Sequence, residues 1–234
     1  MSQIVEGILL VNKPSKMTSH DVVDELRKIT SIRKIGHTGT LDPFAEGLLV
    51  CLIGRKATKL SESLRQHDKE YIATIKFGQE TDTYDLEGKV VEDKGQEQDI
   101  EVKAEQLEEI LKTFQGDILQ EPPMFSAKKV KGQKLYDLAR KGISIKREKA
   151  PVTIHETEIL NVKEGQYPEV KLRVACGSGT YIRSLAHDIG KQLGVGAHLI
   201  KLERTKVGDF ELDNAVKLAE LDLNTVGQQI LMID

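Results

Sequence analysis

The chain has 234 residues, of which 30% are charged and 39% hydrophobic, with a formal net charge of −3. That balance predicts a soluble globular protein with a substantial core and excludes a disordered chain, and no apolar run approaches the length of a membrane span. The amino terminus, MSQIVEGILLVNKP, has no basic start and no long apolar stretch, so no secretory leader is expected and the protein reads as cytoplasmic.

In chain order, Ile4 to Val11 is an apolar run closed by Asn-Lys-Pro and reads as a strand. Thr18 or Ser19 can cap a helix to about Ile29, with Val22, Val23, Leu26 and Ile29 on one face. A glycine-rich turn, Gly36 to Gly47, follows. Its glycines at 36, 39 and 47 let the backbone bend, while Pro43 biases Asp42 toward an extended or turn conformation. A strand is predicted over Leu48 to Ile53 and a helix from about Ala57 to Arg65. Lys69 to Gly78 alternates through Tyr71, Ala73, Ile75 and Phe77, the period of a half-buried strand. Gly78 to Gly88 is turn-rich, and Val102 to Phe114 has the spacing of an amphipathic helix.

Glu121-Pro122-Pro123 breaks the chain, and a short helix is expected near Leu135 to Arg140. Strands are read at Val152 to Val162 and Val170 to Cys176, then a helix from about Tyr181 to Leu193. A short helix near Ala197 to Leu202, a strand near Val207 to Leu212 and a helix near Ala215 to Leu221 complete the expectation. There are no repeats and no linker. Elements mix without strict βαβ alternation, which predicts α+β.

Charge is unevenly spread. Glu80 to Glu109 holds twelve acidic and three basic residues, whereas Ser126 to Ala150 holds nine basic and two acidic. Such a basic segment suits a polyanion held at one place. Cys51 and Cys176 lie in apolar runs and read as buried reduced thiols. With six scattered histidines they offer no zinc-type spacing, so no metal site is expected. Gly177-Ser178-Gly179 lacks the flanks of a hydrolase elbow and no P-loop occurs. On local grounds alone, Leu41-Asp42-Pro43 is an ordinary turn starter.

Seven segments in order change that reading. Gly36 to Pro43 (GHTGTLDP) resembles the catalytic motif of the tRNA pseudouridine synthase B (TruB) family. Gly7 to Pro14 (GILLVNKP), Lys69-Glu70-Tyr71, Gly78 to Gly88 (GQETDTYDLEG), Gln120 to Arg140, Cys176 to Leu185 (CGSGTYIRSL) and Gly196 to Arg204 (GAHLIKLER) also resemble family segments. The resemblance runs from residue 4 to about 210. It implies a pseudouridine synthase fold, a mixed and mostly antiparallel sheet flanked by helices. It further implies isomerisation of uridine to pseudouridine at position 55 in the T-loop of tRNA, with base flipping and no cofactor or metal.

By the same resemblance Asp42 is the catalytic carboxylate, attacking C1′ or C6 or assisting a glycal route. Arg183 is the cation that offsets its burial, and Tyr71 stacks on the flipped uracil and is a candidate to remove the C5 proton. Leu202 lines the uracil pocket and His37 fills the space that the flipped base vacates. Lys13, Lys59 and Asp85 are matched to phosphate, site-wall and substrate contacts. Residues 121–150 look like the family's RNA-gripping insertion, with Lys128, Lys131, Arg140 and Lys141 on phosphates. The chain departs from the pattern at Gly177, where serine is frequent, and at Glu203, where arginine is common.

The whole reading is therefore one catalytic domain over residues 1–234 that contains this insertion and has no length for a PUA domain. It acts as a monomer on the tRNA T-stem-loop, away from membranes and without an obligate protein partner. Two rivals stand beside it. A guide-RNA-dependent synthase of the dyskerin type would need further domains and partners. A non-catalytic RNA-binding module would need none of Asp42, Tyr71 and Arg183.

Overall fold

A computed structural model describes residues 6–126, 129–130, 133–134 and 145–233. The chain divides into two compact units, Met1–Tyr71 with Leu202–Asp234, and Ile72–Lys201. The sheet is mixed and largely antiparallel. Two strands, β4 (Lys69–Phe77) and β12 (Ala197–Val207), contribute residues to both units.

The first unit is built on β1 (Gly7–Lys13) and β3 (Glu46–Ile53), which pair antiparallel with Leu9 opposite Cys51 and Leu10 opposite Val50. Both strands are apolar on both faces, so alternation splits them between two cores. Leu9, Val11, Leu49, Cys51 and Ile53 pack with Val22, Val23 and Leu26 of α1 (Ser19–Thr30). Ile8, Leu10, Leu48, Val50 and Leu52 pack on the other face with Ala57 and Val207. Each such aliphatic side chain contributes about 1.5–3 kcal/mol by leaving water.

Helix α1 begins where the sequence marks it. Thr18 is the N-cap, its hydroxyl accepts from the Asp21 amide at 3.0 Å, and the Asp21 carboxylate accepts from the Thr18 amide at 2.7 Å. This reciprocal box, with Asp21 in the first turn and Arg27 and Lys28 in the last, suits the helix dipole.

Short strands complete this unit. Strand β2 (Ile35–His37) pairs antiparallel with β3, β14 (Val216–Lys217) runs parallel to β1, and β15 (Ile230–Met232) pairs antiparallel with β1. The predicted helix over 57–65 is two single-turn pieces, α2 (Gly54–Thr58) and α3 (Ser61–Arg65). Gly54 sits at φ +88°, and its place at the end of β3 moves the first turn forward.

Three expectations near the carboxyl end are corrected. Ala197 to Leu202 is strand, not helix: Leu199 and Leu202 are three apart, which imitates a helical face, but pairing extends β12 through Val207. The predicted strand over 207–212 is a hairpin. Gly208-Asp209 turns the chain so that Val207 faces Phe210 in β13 (Phe210–Glu211), before a 3₁₀ turn at Leu212–Asn214. The predicted helix over 215–221 is β14 followed by one 3₁₀ turn, Leu218–Glu220. The short helix expected at 135–140 lies outside the described residues.

In the second unit the strand order is β4, β11 (Glu169–Cys176), β10 (Ala150–Lys163) and β7 (Gly116–Gln120). Burial along β4 alternates strictly, with Tyr71, Ala73, Ile75 and Phe77 inward, as its sequence predicts. Helices α4 (Ala104–Phe114) and α5 (Ile182–Leu193) flank this sheet. A hairpin of β5 (Gln79–Thr81) and β6 (Val90–Asp93) carries the turn-rich loop 82–88. Between α4 and α5 in the chain, β8 (Lys129–Val130) and β9 (Gln133–Lys134) form a small antiparallel pair in the predicted insertion. Cys51 and Cys176 are both buried within strands and outside any disulfide, the reduced thiols expected.

Candidate active site

The Asp42 loop connects β2 to β3, and its backbone is held at several points. The Thr38 amide donates to the Val50 carbonyl at 3.1 Å, and the Ala45 amide donates to the Asp42 carbonyl at 3.1 Å, closing a turn around Pro43. Both neighbours of Asp42 are fixed from outside the loop. Buried Ser19, the first residue of α1, accepts from the Leu41 amide at 2.9 Å, and its hydroxyl donates to the Leu41 carbonyl at 3.2 Å. The Pro43 carbonyl accepts from the Lys16 amide at 2.8 Å and from the Lys13 ammonium at 3.4 Å.

Of the three loop glycines, only Gly47 uses left-handed backbone, at φ +99°. Gly39 instead leaves room for a guanidinium, whose nitrogen would stand 3.3 Å from a Cβ placed there.

Lys13 is fully buried, and its ammonium also donates to the Met17 carbonyl at 2.6 Å and the Pro14 carbonyl at 2.9 Å. Burial pulls its pKa from 10.5 to about 8, against the opposing pull of the Asp42 and Glu46 carboxylates. The structure thus gives Lys13 three backbone carbonyls under the loop. Burial, reinforced by the charges of Arg204 and Arg65, lowers His37 from 6.5 to about 4. The imidazole is neutral at physiological pH, and its Nδ1 is buried with no hydrogen-bond partner among the described residues. Tyr71 and Leu202, on β4 and β12, are 8% and 6% exposed. Lys59 follows α2 and is exposed.

Arg183 and Asp85 belong to the second unit and meet there. Nη1 of Arg183 lies 3.3 Å from Oδ2 of Asp85, and both side chains are 5% exposed. The guanidinium also donates to the Thr83 carbonyl at 3.2 Å and the Phe125 carbonyl at 2.8 Å. Asp85 in turn accepts from the Thr83 hydroxyl at 2.6 Å and the Glu87 amide at 3.0 Å. With every partner in place, a buried ion pair of this kind fixes orientation, and removing one member strands the other charge.

The start of α5, which presents Arg183, is held by Gln120. Its amide donates to the Tyr181 carbonyl at 3.0 Å and accepts from the Tyr181 amide at 2.8 Å. Ser184 adds a bond to the Glu121 carbonyl at 2.7 Å. Lys128, Lys131, Arg140 and Lys141 lie outside the described residues.

Sequence reasoning missed two loop supports, Ser19 and Arg204. Both act on backbone carbonyls or amides, which leave no residue pattern. The available signal for Arg204 was its place two residues after Leu202, on the same face once β12 is known to be strand.

A mixed, largely antiparallel sheet flanked by helices, with Asp42 on a pinned loop and buried Arg183 at a helix start, fits the architecture of a pseudouridine synthase. The family model "TruB family pseudouridylate synthase (N terminal domain)" matches residues 27–182, and "tRNA pseudouridylate synthase B C-terminal domain" matches 183–229. The chain belongs to the TruB family of pseudouridylate synthases.

It is 48% identical over 228 residues to the tRNA pseudouridine synthase B of Protochlamydia amoebophila (strain UWE25), covering 97% of this chain and 84% of that protein. Against the protein of the same name from Clostridium tetani (strain Massachusetts / E88), identity is 44% over 228 residues, 97% of this chain and 76% of that one. Among solved structures, a chain of a Cbf5-Nop10-Gar1 complex matches with TM-score 0.71 and 32% identity, over 94% of this chain and 54% of that chain. A chain of an H/ACA RNP bound to a substrate RNA containing 2'-deoxyuridine matches with TM-score 0.67 and 29% identity, over 92% of this chain and 52% of that chain. This chain spans about half the length of those solved chains.

Proposed function

We propose that this protein converts uridine to pseudouridine at position 55 in the T-loop of tRNA, acting alone on the T-stem-loop in the cytoplasm. The observation that carries the reading is Asp42 on a loop whose two adjoining residues, Leu41 and Pro43, are each bonded to the scaffold. A preorganised carboxylate is what this isomerisation needs.

The target base leaves its stack at a cost of about a few kcal/mol. The C1′–N1 bond breaks with Asp42 attacking C1′ or C6 or assisting a glycal route. The uracil turns, a C1′–C5 bond forms, the C5 proton leaves and N1 gains one. Tyr71 is the candidate base for that proton, Leu202 a wall of the uracil pocket and His37, uncharged, the occupant of the vacated stack. Arg183 balances the carboxylate when RNA closes the site. The 121–150 insertion, with Lys128, Lys131, Arg140 and Lys141, grips phosphates, so affinity falls with salt while shape carries most of the selection.

The relatives named tRNA pseudouridine synthase B, at 44–48% identity, favour tRNA over a guide-RNA complex. The test is tritium release from 5-labelled uridine in an unmodified tRNA transcript with no guide RNA or partner added. Wild type should release one equivalent, with the product mapped to position 55. Asp42→Asn should lower the rate by at least about 10⁴-fold while still binding the transcript. No release by the wild type, or a fully active Asp42→Asn, would sink the reading.

A further inference from the structure

Arg204 is the largest side chain fully buried among the described residues, and nothing in the chemistry above uses it. It lies on β12 where that strand runs parallel to the start of β3, paired with Gly47. The approach is close enough that a Cβ on Gly47 would stand 2.5 Å from the Arg204 carbonyl oxygen and 2.8 Å from its nitrogen. From this seat the guanidinium turns toward the Asp42 loop. Its Nε donates to the Leu48 carbonyl at 2.8 Å and its Nη2 to the Gly39 carbonyl at 3.0 Å. One rigid group therefore ties the entry of the loop to its exit, with Asp42 between.

Only a planar fork suits the task, because its donors point in fixed and different directions, whereas a lysine offers a single charged point on a flexible stem. Pinning both ends removes loop freedom that would have to be lost again in every catalytic event.

We propose that Arg204 is a positioning residue for the reaction, a clamp across the Asp42 loop that sets where the carboxylate stands without touching substrate. The proposal rests on Asp42 being the catalytic group, and the experiment separates the two. Arg204→Lys and Asp42→Asn are compared with wild type in single-turnover tritium release, transcript binding and native-state amide exchange. In Arg204→Lys the rate should fall about 100-fold, the scale expected of an ångström of misplacement, while Kd changes less than about threefold. Amides of Leu41 and Ala45 should exchange faster while those of Val22 and Leu26 in α1 keep their protection.

A rate within about threefold of wild type overturns the clamp, as does a loss accompanied by uniformly faster exchange. If Asp42→Asn is active, the assignment of Asp42 falls instead. Should Arg204→Lys not fold, Gly39→Ala decides, because its methyl group crowds the guanidinium. A slowed reaction with binding retained supports the clamp, and an unchanged rate overturns it.

Discussion

His37 stands five residues before Asp42, and its burial has a consequence that pH can expose. Its pKa is about 4 in the folded chain against 6.5 when exposed. Between those values the unfolded chain takes up a proton that the folded chain refuses. Stability from this group is therefore fully present above pH 6.5 and is lost as pH falls toward 4. His37→Gln should flatten the fall in stability between pH 6.5 and 4.5, measured by urea unfolding at several pH values. An unchanged slope would show that the imidazole is solvated. Lys13 shows the same physics with a different sign of function, since its buried ammonium serves three carbonyls under the loop. The Gly-His-Thr-Gly and Leu-Asp-Pro residues marked this loop plainly in the sequence. Its supports were not legible, because Ser19 and Arg204 bond to backbone atoms that every residue possesses.

At the scale of elements, α1 does more than cover the sheet. Its capping box sits at Thr18, and the next residue, Ser19, holds both backbone groups of Leu41. Ser19→Ala would leave that N–H and C=O buried without partners, a cost of about 1–3 kcal/mol. The helix itself should persist because Thr18 still caps it. The expected outcome is unchanged helical circular dichroism, a lower unfolding midpoint and a turnover rate reduced about tenfold or more, with Ser19→Thr restoring part of both. Equal activity in Ser19→Ala would mean that Leu41 needs no such anchor. Elements with strong local patterns were readable: α1 through its cap and spacing, β4 through its alternation. The stretch from Ala197 to Leu221 was not, because β12 and β14 owe their conformation to partners distant in sequence, Arg204 meeting Gly47 and Val216 meeting Val11.

Across the whole molecule, the first compact unit is assembled from both ends of the chain, since Leu202–Asp234 packs with Met1–Tyr71. No linker composition announces this, and only strand pairings with β1 and β3 reveal it. The formal net charge of −3 likewise conceals an acidic stretch followed by a basic one, a pattern legible in the sequence and in keeping with the RNA-gripping role proposed for residues 121–150. The distribution of sulfur has a different use. The protein's only two cysteines fall one in each unit, Cys51 on β3 and Cys176 on β11, and both are fully buried. Burial pushes the Cys51 thiol up to about 12, so it is inert to alkylation until the strand opens. The pair thus forms a native two-channel clock: the labelling rate of each thiol, resolved by peptide mass spectrometry, reads the opening of its own unit. Destabilising the Asp42 loop through Ser19→Ala should speed the Cys51 channel while leaving Cys176 on its original time.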